Sequence, residues 1–321
     1  MSPAFDPFFR NAHLATIAAN FWKRNLTFPS SPTVFETGHD VKVMAMTSQP
    51  AGPPIGTLVA LHGLEGSHNS GYLQSLAQAA LTAGLAVHRL NMRGCGGTEA
   101  LSRTLYHAGL TADLRAILPR LQPPVFLAGF SLGGNVVLKL LGELGEEARG
   151  LVTAAAACSV PIDLEACCRQ MMKPENRIYE RRFVRSLKGR YLRRAAEYPD
   201  VYKTAGLDQI RTVMEFDDSI TAPYFGFGDA ERYYATQSSQ HVLERIAVPV
   251  LMIQAQDDPL IPYPVYERQS AFQRNPYLRL VAPQHGGHVG FIARRPPRFW
   301  LDGAMTGFFL EHLGTTGRDE A

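Results

Sequence analysis

With 321 residues, 45% of them hydrophobic and 19% charged, the chain is long enough for one large core, and its composition excludes a disordered, collagen-like or disulfide-stapled protein. A net charge of +3 is too mild and too dispersed for a nucleic-acid partner, which needs a basic face with groove-reading or stacking residues. Cys95, Cys158, Cys167 and Cys168 have neither metal-ligand spacing nor the pattern of a secreted framework, so reduced thiols in a cytoplasmic protein are expected, with no bound metal.

The N-terminal stretch MSPAFDPFFRNAHLATIAANFWKR carries polar and charged residues throughout and no cleavage site behind an apolar core, so neither a signal peptide nor a membrane span is expected. TVFETGHDVKVMAM then reads as two strands around a Thr-Gly-His-Asp turn, an antiparallel edge. From Thr57 onward, apolar runs alternate with helical-period segments. The strand candidates are Thr57–Leu61, Ala86–Asn91, Val125–Ala128, Gly150–Ala155, Val250–Gln254 and Leu278–Ala282, the rhythm of a mostly parallel α/β sheet with helices on both faces.

That rhythm stops between Val160 and Val248, where helical periods are broken by Pro174, Pro199 and TAPYFGFGDA. We expect a single domain over 1–321 with an inserted, mainly helical lid at 160–247. In open α/β sheets ligands bind beyond the carboxyl ends of the strands, where such insertions gather. The basic run from Lys173 to Arg194 reads as a solvated face of lid helices in preference to an anionic membrane contact, which leaves peripheral membrane binding open. Met171, Met172, Tyr224, Phe225 and Phe227 read as lid core, with Phe225 and Phe227 as candidate substrate-binding residues.

The chemistry is carried by VFLAGFSLGGNVVL, a short apolar strand, then Gly-x-Ser-x-Gly, then an amphipathic helix. A sharp strand-to-helix turn lifts the Ser131 hydroxyl clear of the sheet, and the helix N-terminus points N–H groups at the reacting centre. A serine hydroxyl is a poor nucleophile until an imidazole takes its proton, so a base and an orienting acid are required. LMIQAQDDPLIP and APQHGGHVGF supply them after late strands, in the order this fold uses. Asp258 is favoured over Asp257 because Pro259 restricts the backbone of the residue before it. His288 is favoured over His285 because Gly286 and Gly287 allow a tight loop to swing the imidazole over the nucleophile. Backbone N–H groups of Leu132 and Leu64 are the expected oxyanion donors, with His62 a turn histidine. Such chemistry needs no cofactor. Cys95 has no base placed for it and reads as a packing residue.

With these residues placed, the chain resembles the YheT-like branch of the α/β-hydrolases, related to eukaryotic abhydrolase-domain proteins and yeast medium-chain ethyl ester synthases/esterases. The resemblance rests on His13-Leu-Ala-Thr-Ile, LHGLEGSHNSGY, NMRGCGG, Tyr106-His-Ala-Gly, GFSLGGN, FDDSITAPYFGFGDAERYY, AQDDP and GGHVGF. It implies the α/β-hydrolase fold and hydrolysis of short- to medium-chain acyl esters, small-molecule substrates, by a triad of Ser131, Asp258 and His288. The chain departs from the family at Ala15, where members usually carry Gln. Thioesterase, phospholipase and alcohol acyltransferase chemistry share the same triad, and a non-catalytic binding protein of this fold is the remaining rival. The sequence leaves the oligomeric state open.

Overall fold

The computed structural model describes residues 4–22, 24 and 26–314, and among these eight strands form one sheet. They are β1 (Ser31–Gly38), β2 (Val41–Ser48), β3 (Thr57–Leu61), β4 (Ala86–Leu90), β5 (Val125–Phe130), β6 (Ala154–Cys158), β7 (Val250–Ile253) and β8 (Leu278–Val281). Their spatial order is β1-β2-β4-β3-β5-β6-β7-β8, with β1–β2 and β2–β4 antiparallel and every other pair parallel. The central strands β3, β5, β6 and β7 are buried throughout, as a sheet covered on both faces requires. Along β5, Phe126, Ala128 and Phe130 enter one core and Val125 and Leu127 the other, the two-residue period of a strand.

β5 extends two residues past its expected end, to Phe130, and the sixth strand departs furthest from expectation. The sixth runs over Ala154–Cys158, not Gly150–Ala155. The apolar Leu151 and Val152 are still turning out of a 3-10 segment, both donating to the Ala148 carbonyl at 3.0 and 2.8 Å. The strand itself is built from four alanines, poor strand formers by propensity. Their small side chains suit a position flanked by β5 and β7 and packed on both faces.

Among the described residues, one helix precedes the first strand and the others follow strands. In chain order they include α1 (Ala12–Phe21), α2 (Gly71–Thr82), α3 (Ala112–Ile117) and α4 (Leu132–Leu144). Leu73 and Leu76 of α2 share one core with Met305 and Phe309 of the C-terminal helix Trp300–Glu311, and the apolar face of α4 fills the other. Between β6 and β7 the chain holds only helical elements, beginning with α5 (Leu164–Met171) and the long α6 (Arg177–Glu197).

The basic run on α6 is only partly the solvated face that its composition suggests. Arg177, Arg181, Arg182 and Arg185 are exposed, but Arg190 and Arg194 are 4% and 0% exposed. Arg194 donates to the carbonyls of Ser102 and Thr104, both at 2.5 Å, so its head is satisfied by backbone and its stem packs. Among the described residues no helix is long and apolar enough to cross a membrane, and no group of three His, Cys, Asp or Glu is placed to hold a metal ion.

Candidate active site

Ser131 sits between β5 and α4 with φ 51° and ψ −125°, a backbone conformation that L-residues avoid and that persists only where the surroundings enforce it. They do so here. The Ser131 N–H donates to the Cys158 carbonyl of the neighbouring strand at 2.8 Å, and the Ser131 carbonyl accepts from Gly134 N–H at 2.9 Å. At Gly133 a Cβ would fall 2.4 Å from the His62 carbonyl, so only glycine lets the start of α4 lie against the loop after β3.

His288 approaches from the loop after β8. Its Nε2 lies 3.0 Å from Ser131 Oγ, and its Nδ1 lies 3.0 Å from Asp258 Oδ2. The Asp258 side chain is fully buried, and its second oxygen accepts N–H groups from Leu260 and Ile261 at 2.9 and 3.1 Å. Those bonds fix the carboxylate before any imidazole meets it. Asp257 points elsewhere, with Oδ2 3.1 Å from His285 Nδ1 and Oδ1 accepting the Gly287 N–H at 2.9 Å. The second acid thus braces the loop that carries His288.

The loop after β3 presents Leu64 to the same centre. The flanking N–H groups are occupied, Gly63 donating to the Tyr72 hydroxyl at 3.0 Å and Glu65 to the Tyr106 hydroxyl at 3.3 Å. Among the described residues, the N–H groups of Leu64 and Leu132 have no acceptor. His62 is wholly buried, near the Gly63 carbonyl through Nδ1 (2.7 Å) and near Met92 N–H through Nε2 (3.1 Å). Desolvation lowers its pKa to about 4, so it is neutral at pH 7 and can donate from one nitrogen while accepting at the other.

Three supports escape a sequence reading. Thr16 on α1 accepts the His288 backbone N–H at 2.9 Å through its hydroxyl, which donates in turn to Ala12 at 2.7 Å. Gly287, at φ +58°, makes this contact possible, since a Cβ there would lie 2.6 Å from both the Ala12 carbonyl and Thr16 Oγ1. The N-terminal helix therefore buttresses the imidazole loop, and the buried Ala15 meets it through its backbone, since a Cβ at Gly290 would fall 2.6 Å from the Ala15 carbonyl. The second support is Glu65, whose buried carboxylate accepts from Arg190 Nε at 2.6 Å, the Tyr106 hydroxyl at 3.1 Å and the Ser186 hydroxyl at 3.0 Å. Glu65 has φ 56°, so α6 holds the Leu64 loop in a conformation it would not keep unaided. The third is Asn135 of the GFSLGGN segment, which bonds the Ala108 and Gln237 carbonyls and the Ser239 N–H. The LHGLEGS and GFSLGGN segments signalled the last two, but the sequence offered no partner for either.

Two spaces meet at Ser131. One is a largely apolar cavity walled by Leu132, Leu164, Met171, Phe183, Leu187 and Phe216 among others. His107 also lines it, and desolvation lowers its pKa to about 3, so the wall stays uncharged there at neutral pH. Phe225 and Phe227 are not in this lining. Gly226 and Gly228, at φ +75° and +92°, turn their loop so that both rings pack edge-on against His107, with centroids 4.5 and 5.3 Å away, one layer behind the wall. The other space is a more polar groove between α1, α6 and the loop after β3, with Ser67, Asn69 and Ser70 along it. All four cysteines are free and buried, and burial raises the Cys95 thiol to about 12, which leaves it unreactive.

Residues 56–294 match a family model described as the alpha/beta hydrolase fold. The chain is 35% identical to the Escherichia coli protein named "Putative esterase YheT", over 95% of this chain and 92% of that one. It is 31% identical to a Saccharomyces cerevisiae protein named monoacylglycerol lipase, over 76% of this chain but only 56% of the yeast protein. Among solved structures, the Pyrococcus furiosus esterase Pf2001 superposes with a TM-score of 0.59 at 18% identity, over 89% of this chain and 94% of that one, a likeness of fold alone. The sheet order and the match over nearly the full length agree: the chain belongs to the α/β-hydrolase fold family, in its YheT-like branch.

Proposed function

We propose that this carboxylic ester hydrolase is a serine enzyme acting on short- to medium-chain acyl esters through an acyl-enzyme intermediate. The observation that carries the reading is the unbroken relay from Ser131 Oγ through both nitrogens of His288 to a fully buried Asp258. In this mechanism His288 Nε2 takes the Ser131 proton as Oγ attacks the ester carbonyl, and Asp258 holds the Nδ1–H tautomer and stabilises the imidazolium. The free N–H groups of Leu64 and Leu132 receive the negative charge that develops on the carbonyl oxygen. His288 then returns the proton to the departing alcohol, and water repeats the sequence on the acyl-enzyme.

The apolar cavity suits the acyl chain and the polar groove the alcohol, with residues 160–247 acting as the lid that roofs the cavity. Four buried, unpaired thiols suit a reducing cytoplasm. If the cavity holds the chain, kcat/KM for p-nitrophenyl esters of rising length should climb by up to about 0.8 kcal/mol per methylene and then plateau. Phe183→Ala, which enlarges the cavity, should move that plateau to longer chains. A flat profile unchanged by the substitution would remove the assignment of the cavity to the acyl group.

The brace on His288 makes a separate forecast. Thr16→Val keeps the shape of the side chain but removes the acceptor for a part-buried N–H, a loss of about 1 kcal/mol. Steady-state kinetics should show kcat down by roughly tenfold with KM little changed, since the imidazole and not the substrate loses its support. Unaltered kcat would mean that the loop holds itself.

A further inference from the structure

The two helices that bank the polar groove carry an unusual outer surface. On α1, Leu14, Ile17 and Phe21 are 55%, 41% and 77% exposed, a stripe at helical spacing that faces out of the fold. On α6, Ile178 is 75% exposed, and Arg181, Arg182 and Arg185 stand beside it on the same helix face. The helices are tied together at this point. His13 Nδ1 lies 3.1 Å from the Tyr179 hydroxyl, and the two rings stack with centroids 5.8 Å apart. Ile17 and Phe21 from one bank, Tyr179 and Arg182 from the other, line the groove whose floor is Ser131.

Apolar side chains ringed by cations are costly to leave in water but fit the boundary between lipid headgroups and acyl chains. The charge is unbalanced locally. The basic run holds two acidic residues up to Arg190, and of these Glu180 is buried and accepts the Val213 N–H at 2.6 Å, which leaves Glu175 at the edge. Among the described residues, Arg177, Arg181, Arg182 and Arg185 have no carboxylate partner, whereas Arg190 and Arg193 are paired. An acidic headgroup is the complement of that surface.

We infer that the outer faces of α1 and α6 form a docking surface for an anionic lipid bilayer, placed so that an ester leaving the bilayer enters the groove to Ser131. The inference rests on Ser131 being the nucleophile only for the direction of substrate entry. Docking itself depends on Leu14, Ile17, Phe21, Ile178 and the arginines. The bound orientation sets the groove mouth against the headgroups, and the short, screened reach of surface charge makes docking sensitive to salt.

Flotation of the full chain with phosphatidylcholine vesicles, with and without phosphatidylglycerol, tests this directly. The wild-type protein should float with the anionic vesicles, stay in solution with the neutral ones and be released at about 1 M salt. Arg181→Glu with Arg185→Glu should lower partitioning by at least about 25-fold, at roughly fivefold per cation removed. Leu14→Ser with Ile178→Ser should lower it by tenfold or more. Neither pair should alter turnover of a water-soluble acetate ester by more than about twofold, which also reports that both fold. Hydrolysis of a vesicle-borne ester should fall with partitioning. The surface is refuted by equal flotation with neutral vesicles, by no flotation at all, or by variants that float like the wild type. It is also refuted if sedimentation without lipid shows a dimer that the Leu14 and Ile178 changes dissolve. Binding is read without activity, so a protein that docks yet never reacts with a fluorophosphonate overturns Ser131 as the nucleophile and sustains the docking surface.

Discussion

Ser131→Ala is expected to lower ester hydrolysis by about 10⁵- to 10⁶-fold while leaving the fold unchanged. The size follows from the relay. Without Oγ there is nothing for His288 Nε2 to deprotonate, and only the oxyanion donors and the binding spaces remain to act on the ester. The stability half of the forecast comes from the backbone. Alanine retains the Cβ that makes φ 51° unfavourable and keeps the N–H bond to Cys158, so neither strain nor sheet pairing changes. Thermal unfolding should move by no more than a few degrees. Fluorophosphonate labelling should be complete in the wild type and absent in the variant. A folded Ser131→Ala protein with near wild-type turnover would refute the mechanism.

The adjacent acids offer the second large effect. Asp258→Asn should cost about 10⁴-fold in kcat, because an amide facing Nδ1 can stabilise the wrong tautomer and cannot balance an imidazolium. Asp257→Asn keeps an oxygen for the Gly287 N–H and disturbs only the contact to His285, so its cost should stay below about tenfold. Parallel kcat measurements on the two variants decide the matter, and the reverse ranking would transfer the acid to Asp257.

Much of this was legible in the chain because the signals are local. Strand β3 begins and ends where its apolar run does, and the strand, elbow and helix around Ser131 form one continuous segment. Asp258 and His288 were placed by turn chemistry next to strands. What the sequence hid is long-range or set by crowding. The four alanines of β6 carry no strand propensity, and only the strands on either side require them. Thr16 meets His288 across 272 positions, and Glu65 meets Arg190 across 125, so neither pairing leaves a spacing to read. Phe225 and Phe227 stand behind His107 and outside the cavity lining, and aromatic content does not reveal which way a glycine-flanked loop turns.

The ion pair between Glu65 and Arg190 bears on how this architecture can be altered. It joins a residue beside Leu64 to α6, and both side chains are at most 6% exposed. A buried carboxylate stripped of its cation is strongly destabilising, by about 3–5 kcal/mol. The helical segment between β6 and β7 is therefore not an interchangeable module. Grafting that segment from a relative onto this sheet would leave Glu65 without its counter-ion unless the donor supplies an arginine at the same height on its long helix. Recombination within such a family must move the two positions together, and a chimaera that keeps one and loses the other would carry an intact Ser131–His288–Asp258 relay beside a loop no longer held in place.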